Sequence, residues 1–151
     1  ESNSFDVITC SQIYEHVPSA DLLMKRIYNL LKPGGVCYFA AGNRYNLNIF
    51  EPHYKLPFLS WLPKRIANHY LKIFKDESIY YETHLSYRKL KILVKDFKII
   101  DYTLKIIKNP NQYSATDMLN KNTLKYYMVN FIGKILYFLF PTYIWILEKP
   151  R

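Results

Sequence analysis

The sequence predicts an α/β domain built around a parallel sheet, and three observations carry that expectation. Residues 5–10 (FDVITC) and 36–41 (VCYFAA) are short apolar runs rich in β-branched and aromatic side chains, the pattern of buried strands. Between them, residues 21–31 set Leu22, Leu23, Ile27, Leu30 and Leu31 on one helical face and turn Lys25, Arg26 and Asn29 away. Tight joints then close a strand, helix, strand unit. Parallel neighbours need such a crossover, and it is right-handed. Strands that read as nearly continuous apolar runs are covered on both faces, so helices are expected on both sides of the sheet.

Each element has its own signals. Ser19 and Asp21 suit the start of the first helix. Lys32 complements its negative end, Pro33 cannot continue it, and Gly34 and Gly35 supply the turn that stops it. Residues 44–82 differ in character: Pro52, Pro57 and Pro63 interrupt them, and Tyr45, Phe50, Tyr54, Phe58, Trp61 and Tyr70 crowd them. They read as an inserted lid within one domain spanning residues 1–151, with helical spacing only at 64–74. Ser86 is placed to cap a helix reaching about Phe97 with Leu90, Leu93, Val94 and Phe97 inward. A strand is expected over 98–107. Asn109, Pro110 and Asn111 mark a turn. Ser114 with Asp117 resembles a capping box for a helix ending before Pro141, and residues 142–147 read as a closing strand. The apolar run 131–147 contains Lys134 and Pro141, which favours a buried helix followed by a strand over a membrane span.

Composition bounds the function. Half of the 151 residues are apolar, enough for one domain with a core. The net charge of +9 attracts acidic partners in general, but the lysines and arginines are scattered along helix faces rather than gathered in a patch. Nucleic acid is not expected as a partner. Contact with a membrane surface stays open because of the Tyr and Phe density of the C-terminal third. Cys10 and Cys37 form no C-x-x-C pair, so neither a zinc site nor a disulfide framework is expected. No signal peptide is visible, and a cytoplasmic location is the expectation.

In an open parallel sheet, ligands bind beyond the C-terminal ends of the strands. Two loops qualify. The first carries Ser11, Gln12, Tyr14, Glu15 and His16, and the second Gly42, Asn43, Arg44 and Tyr45. Their residue types also suit a plain solvated loop.

The run F-D-V-I-T-C-S-Q-I-Y-E-H-V-P, an amphipathic helix, L-K-P-G-G, an apolar strand and G-N-R together resemble the central part of class I S-adenosylmethionine-dependent methyltransferases, nearest the ubiquinone-biosynthesis O-methyltransferase type. The match covers 5–46; the later helix, strand, helix, strand order is similar to the antiparallel hairpin that closes that fold. The resemblance implies strands four to seven of a Rossmann-like methyltransferase sheet, with strands one to three and the glycine-rich cofactor loop upstream. The chain then reads as the C-terminal part of such an enzyme, and alone it is expected to be inactive and to fold poorly.

The resemblance also implies roles. Cys10, Ser11 and Gln12 are expected beside S-adenosylmethionine, mainly through their backbone. Glu15 and His16 are expected to face the acceptor, where His16 takes a proton from a substrate hydroxyl or the pair holds a divalent cation. Family members carry an acidic residue at the position of Gln12, completing an E-x-x-E-H metal group; a neutral Gln12 weakens a hard-cation site, and no metal is expected. Asn43, Arg44, Tyr45, Tyr54 and Trp61, with His53 and Phe58, are the expected cover of a small-molecule acceptor, unless these aromatics merely build a satellite core. The implied function is methyl transfer to a small molecule, with oxygen favoured. A second possibility is an inactive methyltransferase-like module that docks on a membrane or protein through the helix near 131–140.

Overall fold

The computed structural model describes residues 2–45, 50–51, 54–76, 79–117 and 119–151, apart from the side chains of Lys125, Ile132 and Lys134. A four-stranded sheet organises the chain. In chain order the elements are β1 (Phe5–Ser11), α1 (Ala20–Leu30), β2 (Leu31–Gly42), α2 (Lys64–Lys75), α3 (Tyr87–Leu93), β3 (Lys98–Asp101), α4 (Thr103–Lys108), α5 (Leu124–Ile135) and β4 (Thr142–Glu148). Strand order is β1-β2-β4-β3. β1 and β2 are parallel neighbours joined through α1, while β4 runs antiparallel to both β2 and β3.

The core follows from register. Cys37 lies opposite Leu147, Phe39 opposite Trp145 and Ala41 opposite Tyr143, and all six are fully buried. Met24 and Ile27 of α1 and Leu90 of α3, with the following Val94, close over this face. Val36, Tyr38, Ile144 and Ile146 on the opposite face are half-buried. Ser19 caps α1 through its hydroxyl, which accepts from the Leu22 N–H at 3.3 Å.

Several expectations are corrected. β1 is not covered on both faces: only Cys10 is buried, and Phe5 and Val7 are exposed, because β1 ends the sheet and no described strand lies on its outer side. Leu22 of α1 faces solvent while Met24 takes the inward place. The L-K-P-G-G segment is not a turn ahead of the strand but an excursion within β2. Phe5 pairs with Leu31 and Val7 already with Val36, so 32–35 loop out. Gly34 has φ +80°, and a Cβ on Gly35 would meet the Lys32 carbonyl oxygen at 2.9 Å. Lys32 pairs with Asp6 across the excursion at 2.7 Å.

α3 ends at Leu93, short of Phe97, and the Ser86 hydroxyl makes no capping bond. The strand expected over 98–107 stops at Asp101. There the carboxylate accepts from the Thr103 N–H at 2.9 Å, from Trp145 Nε1 at 3.1 Å and from the Tyr137 hydroxyl, and the chain turns into α4. No helix starts at Ser114, which is left-handed at φ 51°. α5 begins at Leu124 and is not buried: Leu124, Tyr127, Met128, Phe131 and Ile135 are exposed along one side. Gly133 faces inward, and a Cβ there would collide with the Phe140 ring at 2.5 Å. Among the described residues no helix is long and apolar enough to cross a membrane.

Candidate acceptor and cofactor site

The exits of β1 and β2 are locked together by one buried phenol. Tyr14 donates to the Gly42 carbonyl at 2.5 Å and accepts from the Leu85 N–H at 3.0 Å. Segment 80–85 is thereby laid across both loops. The Thr83 N–H donates to the Glu15 carbonyl at 2.8 Å and the Arg44 N–H to the Leu85 carbonyl at 3.0 Å. Burial, opposed by the Leu85 N–H and reinforced by Glu15, holds the Tyr14 phenol well above its usual range.

The residues expected beside the cofactor are at the β1 exit. Cys10 is buried in the core, and Ser11 and Gln12 are exposed. Gln12 takes a left-handed φ of 51° and its N–H donates to the Ala40 carbonyl at 2.8 Å, which turns the chain across the end of β2. A Cβ built on Gly42 would lie 3.1 Å from His84 Nδ1 and 3.3 Å from Gln12 Oε1. Three elements therefore converge on Gly42, where a side chain would press on His84 and Gln12. The thiol of Cys10 is pushed up to about 11 by burial and then by Glu15, so it stays protonated at neutral pH and offers no nucleophile.

Glu15 is buried and His16, next to it, is exposed, with its N–H donating to the Ile13 carbonyl at 3.0 Å. Among the described residues no three His, Cys, Asp or Glu side chains gather as cation ligands. Asn43 is buried. Its amide nitrogen lies 2.8–3.0 Å from the carbonyl oxygens of Tyr45, Phe138 and Phe140 and 3.1 Å from the Tyr143 hydroxyl, which share its two N–H donors; this directs that nitrogen into the protein and ties β2 to the start of β4.

Arg44, Tyr45 and Trp61 are brought together. The Arg44 guanidinium lies 5.4 Å from the Tyr45 ring centroid, and the Tyr45 and Trp61 rings meet edge to face at 5.6 Å. Arg44 Nη2 also donates to the carbonyls of Trp61 and Leu62 at 3.2 and 3.3 Å. Tyr54 sits apart from them, packed on a satellite core of Leu56, Leu59, Ala67, Leu71 and Tyr80. The insert thus has a small core of its own beside an exposed aromatic group. His53 lies outside the described residues.

A pocket of about 360 Å³ opens between the insert and segment 80–85, with Arg44, Ser60, Lys64, Glu82, Thr83 and His84 among its lining residues. Of the residues expected from sequence, Arg44 is among its lining residues, and Cys10, Ser11, Gln12, Glu15, His16, Asn43, Tyr45, Tyr54 and Trp61 are not. Glu82, Thr83 and His84 were not legible as site residues because 79–85 has no helical or strand period. The only signal was three consecutive polar residues after the aromatic pair Tyr80 and Tyr81.

The comparisons agree with this geometry. A family model described as a methyltransferase domain matches residues 1–93. The ubiquinone biosynthesis O-methyltransferase of Idiomarina loihiensis is 37% identical over 70 residues, covering 44% of this chain and 28% of that protein. The protein of the same name from Pseudomonas putida is 41% identical over 59 residues, covering 36% and 25%. The chain spans about a quarter of the length of these curated relatives. An S-adenosylmethionine-dependent methyltransferase structure from Mesorhizobium loti superposes with a TM-score of 0.50 at 13% identity, over 98% of this chain and 63% of that one, a likeness of fold. With 93 of its 151 residues under the family model, the chain belongs to the methyltransferase domain family, of the class I, S-adenosylmethionine-dependent kind.

Proposed function

We propose that the protein transfers the methyl group of S-adenosylmethionine to an oxygen of a small hydroxylated, ring-bearing acceptor. The observation that supports this best is a pocket past the end of β2, lined by Arg44 and by residues of segment 80–85, which Tyr14 fastens to the loop after β1. The relatives named as ubiquinone biosynthesis O-methyltransferases favour oxygen over nitrogen and a precursor of a ubiquinone-like ring as the acceptor.

The exposed Ser11 and Gln12, on a turn held to Ala40, leave polar groups open toward a ligand at the β1 exit, and these fit one wall of a site for the cofactor. Bound there, S-adenosylmethionine supplies an already activated methyl group. What is left to the protein is mostly positioning. Arg44, Tyr45 and Trp61 cover an aromatic acceptor and exclude water, and an imidazole at the pocket edge receives the hydroxyl proton. His84, on the pocket wall, is better placed for that than the exposed His16.

The test is direct. The protein as encoded is incubated with methyl-labelled S-adenosylmethionine and catechol, and the label is expected in an aryl methyl ether. Absence of label from this and from other hydroxy-aromatic acceptors would refute the proposal.

A second reading rests on α5. Its exposed Leu124, Tyr127, Met128, Phe131 and Ile135 form an apolar side on a chain of net charge +9, which suits peripheral contact with an anionic bilayer. Co-sedimentation with anionic but not neutral liposomes, lost on Phe131→Glu, is the expected result.

A further inference from the structure

We infer that Glu82 is a specificity-determining residue of the acceptor pocket, its carboxyl oxygen taking a hydrogen bond from an O–H or N–H group of the acceptor other than the one that is methylated. The inference rests on the pocket being the acceptor's, as proposed above.

Glu82 lines the pocket and is only 6% exposed, and its Oε2 is buried with no hydrogen-bond partner among the described residues. The Tyr80 hydroxyl, on the same wall, is likewise buried and unpartnered. A buried polar atom left unpaired is costly, so two of them beside a cavity mark a place where a ligand's polar groups fit. The nearby cations do not answer Glu82. Lys64 Nζ donates to the carbonyls of Tyr80 and Tyr81, both at 2.9 Å, and Arg44 is turned to the carbonyls of Trp61 and Leu62. Neither forms an ion pair with Glu82 among the described residues.

The surroundings are acidic. Tyr80 is raised well above the usual phenol range by burial first, and then by Glu51, Glu82 and the phenols of Tyr54 and Tyr14. Glu51 accepts from the Tyr54 N–H at 2.7 Å and is buried with Glu82 and Tyr80 at this end of the insert. Such a wall accepts hydrogen bonds. It selects acceptors with a donor at that point over otherwise identical ones without it, because a missing donor leaves the carboxyl unpaired again.

Isothermal calorimetry without cofactor, on the protein as encoded, compares catechol with its dimethyl ether, veratrole, which keeps the ring and loses both donors. The wild type is expected to prefer catechol by about tenfold or more, the size of one hydrogen bond to a carboxyl group. In Glu82→Leu the preference falls by about tenfold, the share of this one hydrogen bond, with veratrole affinity unchanged, and in Glu82→Gln, which keeps the volume if the leucine variant fails to fold, it falls part of the way. An unchanged preference in the folded variants, or none in the wild type, would overturn the inference. Because no methyl is transferred in this measurement, a catechol preference that depends on Glu82 in a protein without transferase activity would refute the proposed function and leave Glu82 only as a ligand-binding residue of this pocket, whereas loss of the preference with activity intact would refute the inference alone.

Discussion

Tyr14 and Gly42 are joined by a 2.5 Å hydrogen bond, side chain to carbonyl, that fastens the loop after β1 to the end of β2. The same hydroxyl receives the Leu85 N–H, so one buried atom ties the loop after β1, the end of β2 and segment 80–85 together. Tyr14→Phe leaves the Gly42 carbonyl and the Leu85 N–H without this partner and is expected to lower stability by about 1–3 kcal/mol. It should also raise KM for the acceptor more than it lowers kcat, because segment 80–85 loses its anchor. Chemical denaturation and steady-state kinetics read the two effects, and a variant indistinguishable in both would contradict the role.

The two imidazoles at this edge differ in place, and the prediction follows from that. His84 lines the pocket beside Gln12 and Gly42, whereas His16 lies exposed beyond Glu15. His84→Ala is expected to reduce kcat about 10²-fold or more, the lower range for loss of a positioned proton acceptor, while His16→Ala changes it less than about threefold. The reverse order would return the proton-accepting role to His16.

Both cysteines lie in the core, and their thiols give an alkaline signature. Burial, then Glu15, raises Cys10 from 9.0 to about 11; burial, then Cys10, raises Cys37 from 9.0 to about 12. Above pH 9 the unfolded thiols ionise while the folded ones remain protonated. Their contribution to stability is therefore intact below pH 9 and is lost as pH rises toward about 11 and about 12. Denaturation midpoints should fall over this window, less steeply in the Cys10→Ala, Cys37→Ala double variant, and neither native thiol should react with iodoacetamide at pH 8. Rapid native alkylation would contradict the placement.

β1 presents an exposed edge with Phe5 at 49% and Val7 at 60% exposure. Such an edge templates pairing with other chains. The 151-residue chain expressed alone is expected to self-associate, and Val7→Lys to reduce that association. Light scattering coupled to size exclusion measures both, and a monomer with a cooperative unfolding transition would refute the expectation.

Where local pattern and tertiary packing agree, the sequence was readable. β1, α1, β2, α2 and β4 fall close to where apolar period and capping residues put them, and the parallel pairing of β1 with β2 follows from their spacing. The misreadings have particular causes. TLKIIK after Asp101 has enough β-branched residues to extend a strand, yet the Asp101 carboxylate holds the Thr103 N–H and the Trp145 indole and turns the chain into α4. The apolar content of α5 suggested burial, but Leu124, Tyr127, Met128, Phe131 and Ile135 face out and Gly133 faces in. For the site, the two exit loops could be located from the strands alone. Segment 80–85 could not, because its place depends on bonds to Tyr14, Glu15 and Arg44 from distant parts of the chain.

Amide hydrogen exchange with and without S-adenosylhomocysteine, on the protein as encoded, tests most directly whether the β1 exit is a cofactor wall. Slowed exchange over residues 10–16, extending to 42–45, is the predicted result. Unchanged exchange there at saturating ligand would contradict the account.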